Sequence, residues 1–346
     1  MINLEKEIRE QPSTIKNVIE INLPAIREIV KKAKDSGVHS IYFAARGTSD
    51  HACVYAQYLF GIFAGIPCTL GTPSVFTKYG AKLNFKDTLV IGVSQSGKAE
   101  DVLAVLDSAK ADGAMTIAVT NNTESPMAKC ADYHLFCGCG HEASIAATKT
   151  FTCQMTILGL MAAVWGENEA LVEEFKGVGA KAQELLDTKF DDIMAFAEEN
   201  KDIPGAILLG RGISYPIALE GALKMLETNK IKMKGYPTSD FHHGPIAQVH
   251  SGDLVFVISP KGKTSDDTAE IVKKLLNVEA KVVVVTDDAS EAPEGTKAVV
   301  LPHTGSEFTF PHMAVMFFQL TACCMTIVRG IDPDKAGVIN KITITK

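Results

Sequence analysis

The chain lacks an apolar run long enough to cross a bilayer. Its longest, Met313 to Val328, contains Gln319 and falls short of the roughly 20 residues a spanning helix needs, so it reads as a buried helix and no membrane association is expected. It also lacks a basic cluster. The net charge is −7, which argues against a nucleic-acid partner. The charged start MINLEKEIRE has no apolar signal-peptide core, and the eight cysteines include no C-x-x-C pair. Reduced thiols in a cytoplasmic protein are therefore expected. Cys137, Cys139 and His141, in CGCGHE, are spaced too tightly for a structural zinc site, so no metal is expected.

What is present describes a globular chain with 46% hydrophobic and 22% charged residues, long enough at 346 residues for two domains. SIYFAARG, TLVIGVSQ, AMTIAVTN and YHLFCG read as buried strands separated by helical stretches such as KAEDVLAVLDSAKADG. Such alternation predicts an α/β fold, an open parallel sheet covered by helices on both faces, with a leading helix over Ile15 to Ser36.

The pattern then returns. Arg46-Gly47-x-Ser49 is answered by Arg211-Gly212-x-Ser214, Ser94 by Ser259, Thr120 by Thr286 and Glu142 by Glu307, all at an offset of about 165 residues. Four pairs in order at one offset indicate a duplicated domain, too long in period for a solenoid. The expected division falls near Asp187 to Pro204, giving subdomains 1–190 and 191–346.

VSQSGKAEDV, Val93 to Val102, sets Ser94, Gln95 and Ser96 where a strand gives way to a helix, and Gly97 lets the backbone come close. Side-chain donors beside unpaired helix-terminal N–H groups suit a phosphate. The plainer alternative is a serine cap on an ordinary helix. In the second half SQSG becomes SPKG, which loses an amide and a hydroxyl and gains a proline without an N–H. One complete anion site per chain is expected.

The second half has its own unusual stretch, YPIALEGALKMLETNKIKMKGYPTSDFHHGP. Taken as a helix from Pro216, it puts Glu220, Lys224 and Glu227 at i, i+4 and i+7 among apolar residues. A buried helix with a charged seam is predicted, in which Glu220 and Lys224 pair and Glu227 is left as a carboxylate raised by burial. An ordinary salt bridge with an exposed last turn is the alternative. His242 and His243 precede Gly-Pro on a loop, and at most one of two adjacent imidazoles is expected to shuttle protons.

The Arg-Gly-Thr-Ser loop, SQSG, AATKTFT, ALEGALKMLE, HHGP and the closing NKITITK together resemble the sugar isomerase (SIS) domain family over nearly the whole chain. Within it the chain is similar to the isomerase half of glutamine:fructose-6-phosphate amidotransferases, to the stand-alone glucosamine-6-phosphate deaminases and to the fructosamine-6-phosphate deglycases. The resemblance implies two tandem flavodoxin-like α/β/α subdomains and a homodimer. It implies that Ser49, Ser94, Gln95 and Ser96 hold the sugar phosphate, and that Thr48, Ile145 and Ala147 line the sugar. Glu227 matches the carboxylate that moves a proton between C1 and C2. His243 matches the ring-opening histidine, which reaches the neighbouring subunit's site. Lys341 matches the tail lysine at the sugar carbonyl, and Glu220 and Lys224 match further polar residues of the catalytic helix.

The departures matter. Ala99 stands where the amidotransferases carry a threonine near the phosphate, Ala147 where they carry a serine, and Asn340 where a small residue precedes the tail lysine. A glutaminase domain with an N-terminal cysteine nucleophile is not expected, since the first cysteine is Cys53. The resulting expectation is an aldose–ketose isomerase and deaminase, converting glucosamine 6-phosphate to fructose 6-phosphate and ammonia. The alternatives are a ketosamine 6-phosphate deglycase and a sugar-phosphate sensor without turnover. No cofactor is expected, because a base that passes the proton within an enediol or enamine needs none.

Overall fold

The computed structural model describes residues 1–335, so Lys341 and Asn340 lie outside the described residues. The chain opens with helices Asn3–Arg9 and Gln11–Asp35. The second is the helix expected over Ile15 to Ser36. It buries Ile15, Val18, Ile19, Asn22, Ile26, Ile29, Val30 and Ala33, the three-and-four spacing that turns one face of a helix inward.

Among the described residues ten strands follow in two sets. β1 (Ser40–Ala44), β2 (Cys68–Leu70), β3 (Thr88–Ser94), β4 (Met115–Thr120) and β5 (Tyr133–Phe136) form a parallel sheet in the order β2-β1-β3-β4-β5. β6 (Gly205–Gly210), β7 (Lys232–Pro237), β8 (Leu254–Ile258), β9 (Lys281–Thr286) and β10 (Lys297–Val300) form a second, in the order β10-β9-β8-β6-β7. Read from its other edge, the second order is that of the first, and both have the flavodoxin-like winding. The expected α/β fold of two tandem parallel-sheet units is what is found.

The inner strands are rich in Val, Ile and Leu and buried on both faces, β8 along its whole length. Doubly buried strands need helices on each side. In the first sheet Val90 and Ala118 pack on Val102, Val105, Leu106 and Met127. In the second, Val255, Val257 and Val284 pack on Ile271, Val272 and Leu275. Each such valine, leucine, isoleucine or methionine contributes about 1.5–3 kcal/mol by leaving water.

The chain groups into two compact units. One is Ser13–Glu142 with Lys149–Lys176 and holds the first sheet. The other is Met1–Pro12, Ala143–Thr148 and the described residues from Gly177 onward, and holds the second. A single helix, Glu169–Glu199, runs through the stretch where the repeat suggested a boundary. The apolar run near the C-terminus is helix Pro311–Val328. Contrary to the expectation from its length, it is long and apolar enough by length and composition to span a membrane, but it is 89% buried inside the protein, as the buried-helix reading expected. It packs on helix Tyr215–Asn229 of its own unit, and Gln319 accepts a 2.8 Å hydrogen bond from the Gln11 amide.

The duplication extends to individual side chains. Thr120 Oγ1 donates to the Asn122 carbonyl (3.0 Å) and accepts from the Asn122 N–H (3.2 Å). Thr286 makes the same pair of bonds with Asp288, both at 3.1 Å. Arg46 Nε donates to Asp101 at 2.7 Å, and Arg211 Nε to Asp267 at 2.6 Å.

Candidate active site

Open α/β sheets of this winding bind ligands at the carboxyl ends of the strands where the order reverses, here between β1 and β3. At that point β1 leads through Arg46 and Gly47 into helix Thr48–Leu59, and β3 leads through residues 95–99 into helix Glu100–Ala111. Neither helix has a side-chain cap, and the residue at the start of the second is Ala99. The serine-cap alternative therefore fails, because the helix begins too late for Ser94 or Ser96 to close it.

Their hydroxyls serve the loop itself. Ser94 Oγ accepts from the Gly97 N–H (3.2 Å) and Ser96 Oγ from the Lys98 N–H (3.3 Å). An oxygen that accepts in this way keeps its hydrogen for an outside acceptor. The N–H groups of Gln95 and Ser96 have no partner among the described residues. Gly97 has φ +64°, and a Cβ there would stand 2.2 Å from Ser125 Oγ, so the turn admits only glycine. Ser49 is buried and Thr48 half-buried in the opening turn of their helix. Five expected contact residues thus gather around one switch point, as hydroxyl and amide donors at a site suited to an anion.

The acid–base candidates lie in the other unit. Helix Tyr215–Asn229 buries Glu220 and Lys224 completely, and Glu227 is 20% exposed. The expected charged seam is present, but its pairing differs from the expectation. Lys224 Nζ stands 3.2 Å from Glu220 Oε1 and 2.6 Å from Glu227 Oε2, bridging both carboxylates. Residues three and four apart are equally near on a helix, so spacing alone does not choose between them. Burial draws the Lys224 ammonium down, yet the charges of Glu220 and Glu227 outweigh it and hold it well above its ordinary value. Glu227 is therefore engaged from the buried side of the helix by Lys224, while part of its own side chain stays open.

His243 follows the short helix Thr238–Phe241 on an exposed turn, and its ring meets no partner among the described residues. Its neighbour His242 receives Lys274 Nζ at 3.2 Å. Ile145 and Ala147 sit half-buried in the segment Ala143–Thr148. That segment is held by a side chain absent from the sequence-based reading: the buried Glu7 carboxylate accepts the N–H groups of Ala143 and Ser144.

Cys137 and Cys139 are buried while His141 is exposed, and among the described residues no three His, Cys, Asp or Glu side chains gather as a metal requires. Hollows of about 480 and 280 Å³ lie at the amino ends of the second and first sheets, beside Gly205 and Leu254 and beside Val38 and Thr88. That is the end of an α/β sheet that does not carry ligand sites.

A model of the SIS domain family matches residues 36–164 and 202–329. Among curated relatives, the isomerizing glutamine–fructose-6-phosphate aminotransferase of Clostridium tetani is 31% identical over 348 residues, covering 95% of this chain and 57% of its own length. The chain therefore spans little more than half of such relatives. Among solved structures, the C-terminal domain of glucosamine-fructose-6-phosphate aminotransferase from Francisella tularensis superposes with a TM-score of 0.86 at 26% identity, covering 95% of this chain and 97% of that one. Glucosamine-6-phosphate deaminase from Thermotoga maritima shares the fold at a TM-score of 0.78 and 24% identity, covering 99% of this chain and 100% of that one.

Proposed function

The chain belongs to the SIS domain family, and from that premise we propose that it is a phosphosugar-converting enzyme acting on an amino-sugar 6-phosphate, in the simplest case turning glucosamine 6-phosphate and water into fructose 6-phosphate and ammonia. The observation that carries the proposal is Glu227, a carboxylate 20% exposed and held 2.6 Å from the buried Lys224 ammonium. A carboxylate that is partly exposed can meet a substrate C–H and take its proton, and the adjacent ammonium steadies the charge on either side of the transfer.

In this reading the Ser94–Gly97 loop, with Thr48 and Ser49, takes the phosphate. Binding energy spent on this remote group orients the reacting carbons. His243 opens the sugar ring by protonating its oxygen. Glu227 then removes the proton from C2 and returns it at C1, so an enamine becomes a C2 imine. Water adds to that imine, the C–N bond breaks, and ammonia leaves with the ketone in place. Lys341 meets the carbonyl, and Ile145 and Ala147 line the sugar. The exposure and unpartnered ring of His243 support a homodimer in which this histidine serves the neighbouring chain's site.

The test is product analysis. Glucosamine 6-phosphate, fructose 6-phosphate and a set of ketosamine 6-phosphates are incubated with the purified protein, while ammonia, free amine and sugar phosphate are measured. Ammonia with fructose 6-phosphate from the first substrate supports the proposal. Amine and glucose 6-phosphate from ketosamines, with no ammonia, would replace it with a deglycase. Binding without any product would leave a sensor.

A further inference from the structure

The two switch points can be compared position by position, since Ser94-Gln95-Ser96-Gly97-Lys98 corresponds to Ser259-Pro260-Lys261-Gly262-Lys263. In the first loop the Ser96 N–H has no partner among the described residues, and the Lys98 N–H meets only Ser96 Oγ. In the second loop both equivalent amides are taken by carboxylates. The Lys261 N–H donates to Asp287 Oδ1 at 2.9 Å, and the Lys263 N–H to Glu307 Oε1 at 3.3 Å. A Cβ on Gly262 would stand 2.5 Å from Glu307 Oε2, so that carboxylate presses directly on the loop backbone. His303 Nδ1 lies 2.7 Å from Asp287 Oδ2, whose side chain is wholly buried, and Lys261 Nζ reaches Asp288 at 2.8 Å.

The counterparts in the first unit point elsewhere. Asn121 stands in the place of Asp287, and its side chain donates to the Gly140 carbonyl (2.7 Å) and accepts from the Cys139 N–H (3.2 Å). Glu142, in the place of Glu307, accepts from the N–H and hydroxyl of Thr150 at 3.1 and 2.8 Å. The neutral amide at position 121 leaves the loop amides to an external anion. The carboxylate at 287 supplies an anion from within the chain.

We infer that Asp287 and Glu307 are built-in anions filling the second crevice, and that the residue after the strand-ending threonine, Asn121 or Asp287, determines whether a crevice takes an external phosphate. The inference rests on the phosphate-binding role given to the first loop. An internal carboxylate held by the fold competes at an effective concentration that a free ligand does not match, and it repels an incoming phosphate besides. The second crevice is thereby closed to sugar phosphates, and the chain takes one per copy.

The test transplants the residue in both directions and uses inorganic phosphate as probe, with affinity and stoichiometry read by calorimetry on folded protein. Asn121→Asp should weaken phosphate binding roughly tenfold or more, while Asn121→Ala, which loses the bonds to both Gly140 and Cys139 without adding charge, should weaken it far less. The double substitution Asp287→Asn with Glu307→Gln should raise the number of phosphates bound by one per chain. Equal effects of Asn121→Asp and Asn121→Ala, together with an unchanged count in the double variant, would overturn the inference. Ser96→Ala separates the two claims. If it leaves wild-type phosphate affinity unaltered, the role of the first loop falls, whereas a gain of one phosphate in the double variant still upholds the filled second crevice.

Discussion

Single side chains in this protein carry charges or polar atoms well inside its packing, and their environments set how it responds to pH. His312 is wholly buried at the start of helix Pro311–Val328, with Nδ1 3.2 Å from the Thr309 carbonyl, so that nitrogen carries the hydrogen. Burial pushes its pKa down to about 4 from an ordinary 6.5, only partly opposed by the bond to Thr309. The folded state then resists a proton that the unfolded chain accepts. Its contribution to stability is complete above pH 6.5 and is lost as pH falls toward 4, by roughly 3 kcal/mol in all. Denaturant unfolding across this range should show that loss in the wild type and a flatter profile in His312→Gln, whose amide still donates to Thr309. Parallel profiles would assign the acid sensitivity to other groups. Spacing in the sequence placed Glu220, Lys224 and Glu227 on one stripe, and they are there. It did not say that Lys224 bridges both carboxylates, because the choice between neighbours at three and four residues is made by side-chain rotamers and burial. The hold of Glu7 on residues 143 and 144 was likewise invisible, since it joins positions more than a hundred residues apart.

At the scale of elements, each switch point is clamped by an arginine reaching from the loop after one strand to the first turn of the helix that follows the neighbouring strand. The clamp recurs in the unit whose anion loop is filled from within, so its role is to join elements rather than to contact a ligand. The two copies differ in burial. Asp101 is 1% exposed and Asp267 50%. Removing the arginine therefore strands a buried carboxylate in one case and a solvated one in the other. Arg46→Met should cost about 1–3 kcal/mol in chemical denaturation, and Arg211→Met less than about 1 kcal/mol. Equal losses would mean that the pairs do not act through burial. The strands, their parallel order and the repeat were legible because doubly buried strands write continuous Val and Ile runs, and because loop residues such as Thr120 and Thr286 bond to their own turns. The serine-cap alternative was open in the sequence, since the start of helix Glu100–Ala111 depends on where Gly97 packs against Ser125.

For the whole molecule, the proposal divides the work between a loop that holds phosphate and a helix that moves a proton, and draws on His243 from a second copy. If that is the arrangement, subunits carrying Glu227→Gln mixed with subunits carrying His243→Ala should recover about a quarter of wild-type activity, because about half the dimers are mixed and each has one intact site. No recovery after confirmed subunit exchange would keep His243 in its own chain's site or outside the chemistry. The central claim, that Glu227 is the proton-transferring base of a phosphosugar enzyme, is tested most directly by Glu227→Gln, with turnover and sugar-phosphate affinity measured on one folded preparation. The account predicts a rate lowered roughly 100-fold or more with affinity retained, since glutamine keeps the size of the side chain and loses only the basic oxygen. Turnover near that of the wild type would contradict it.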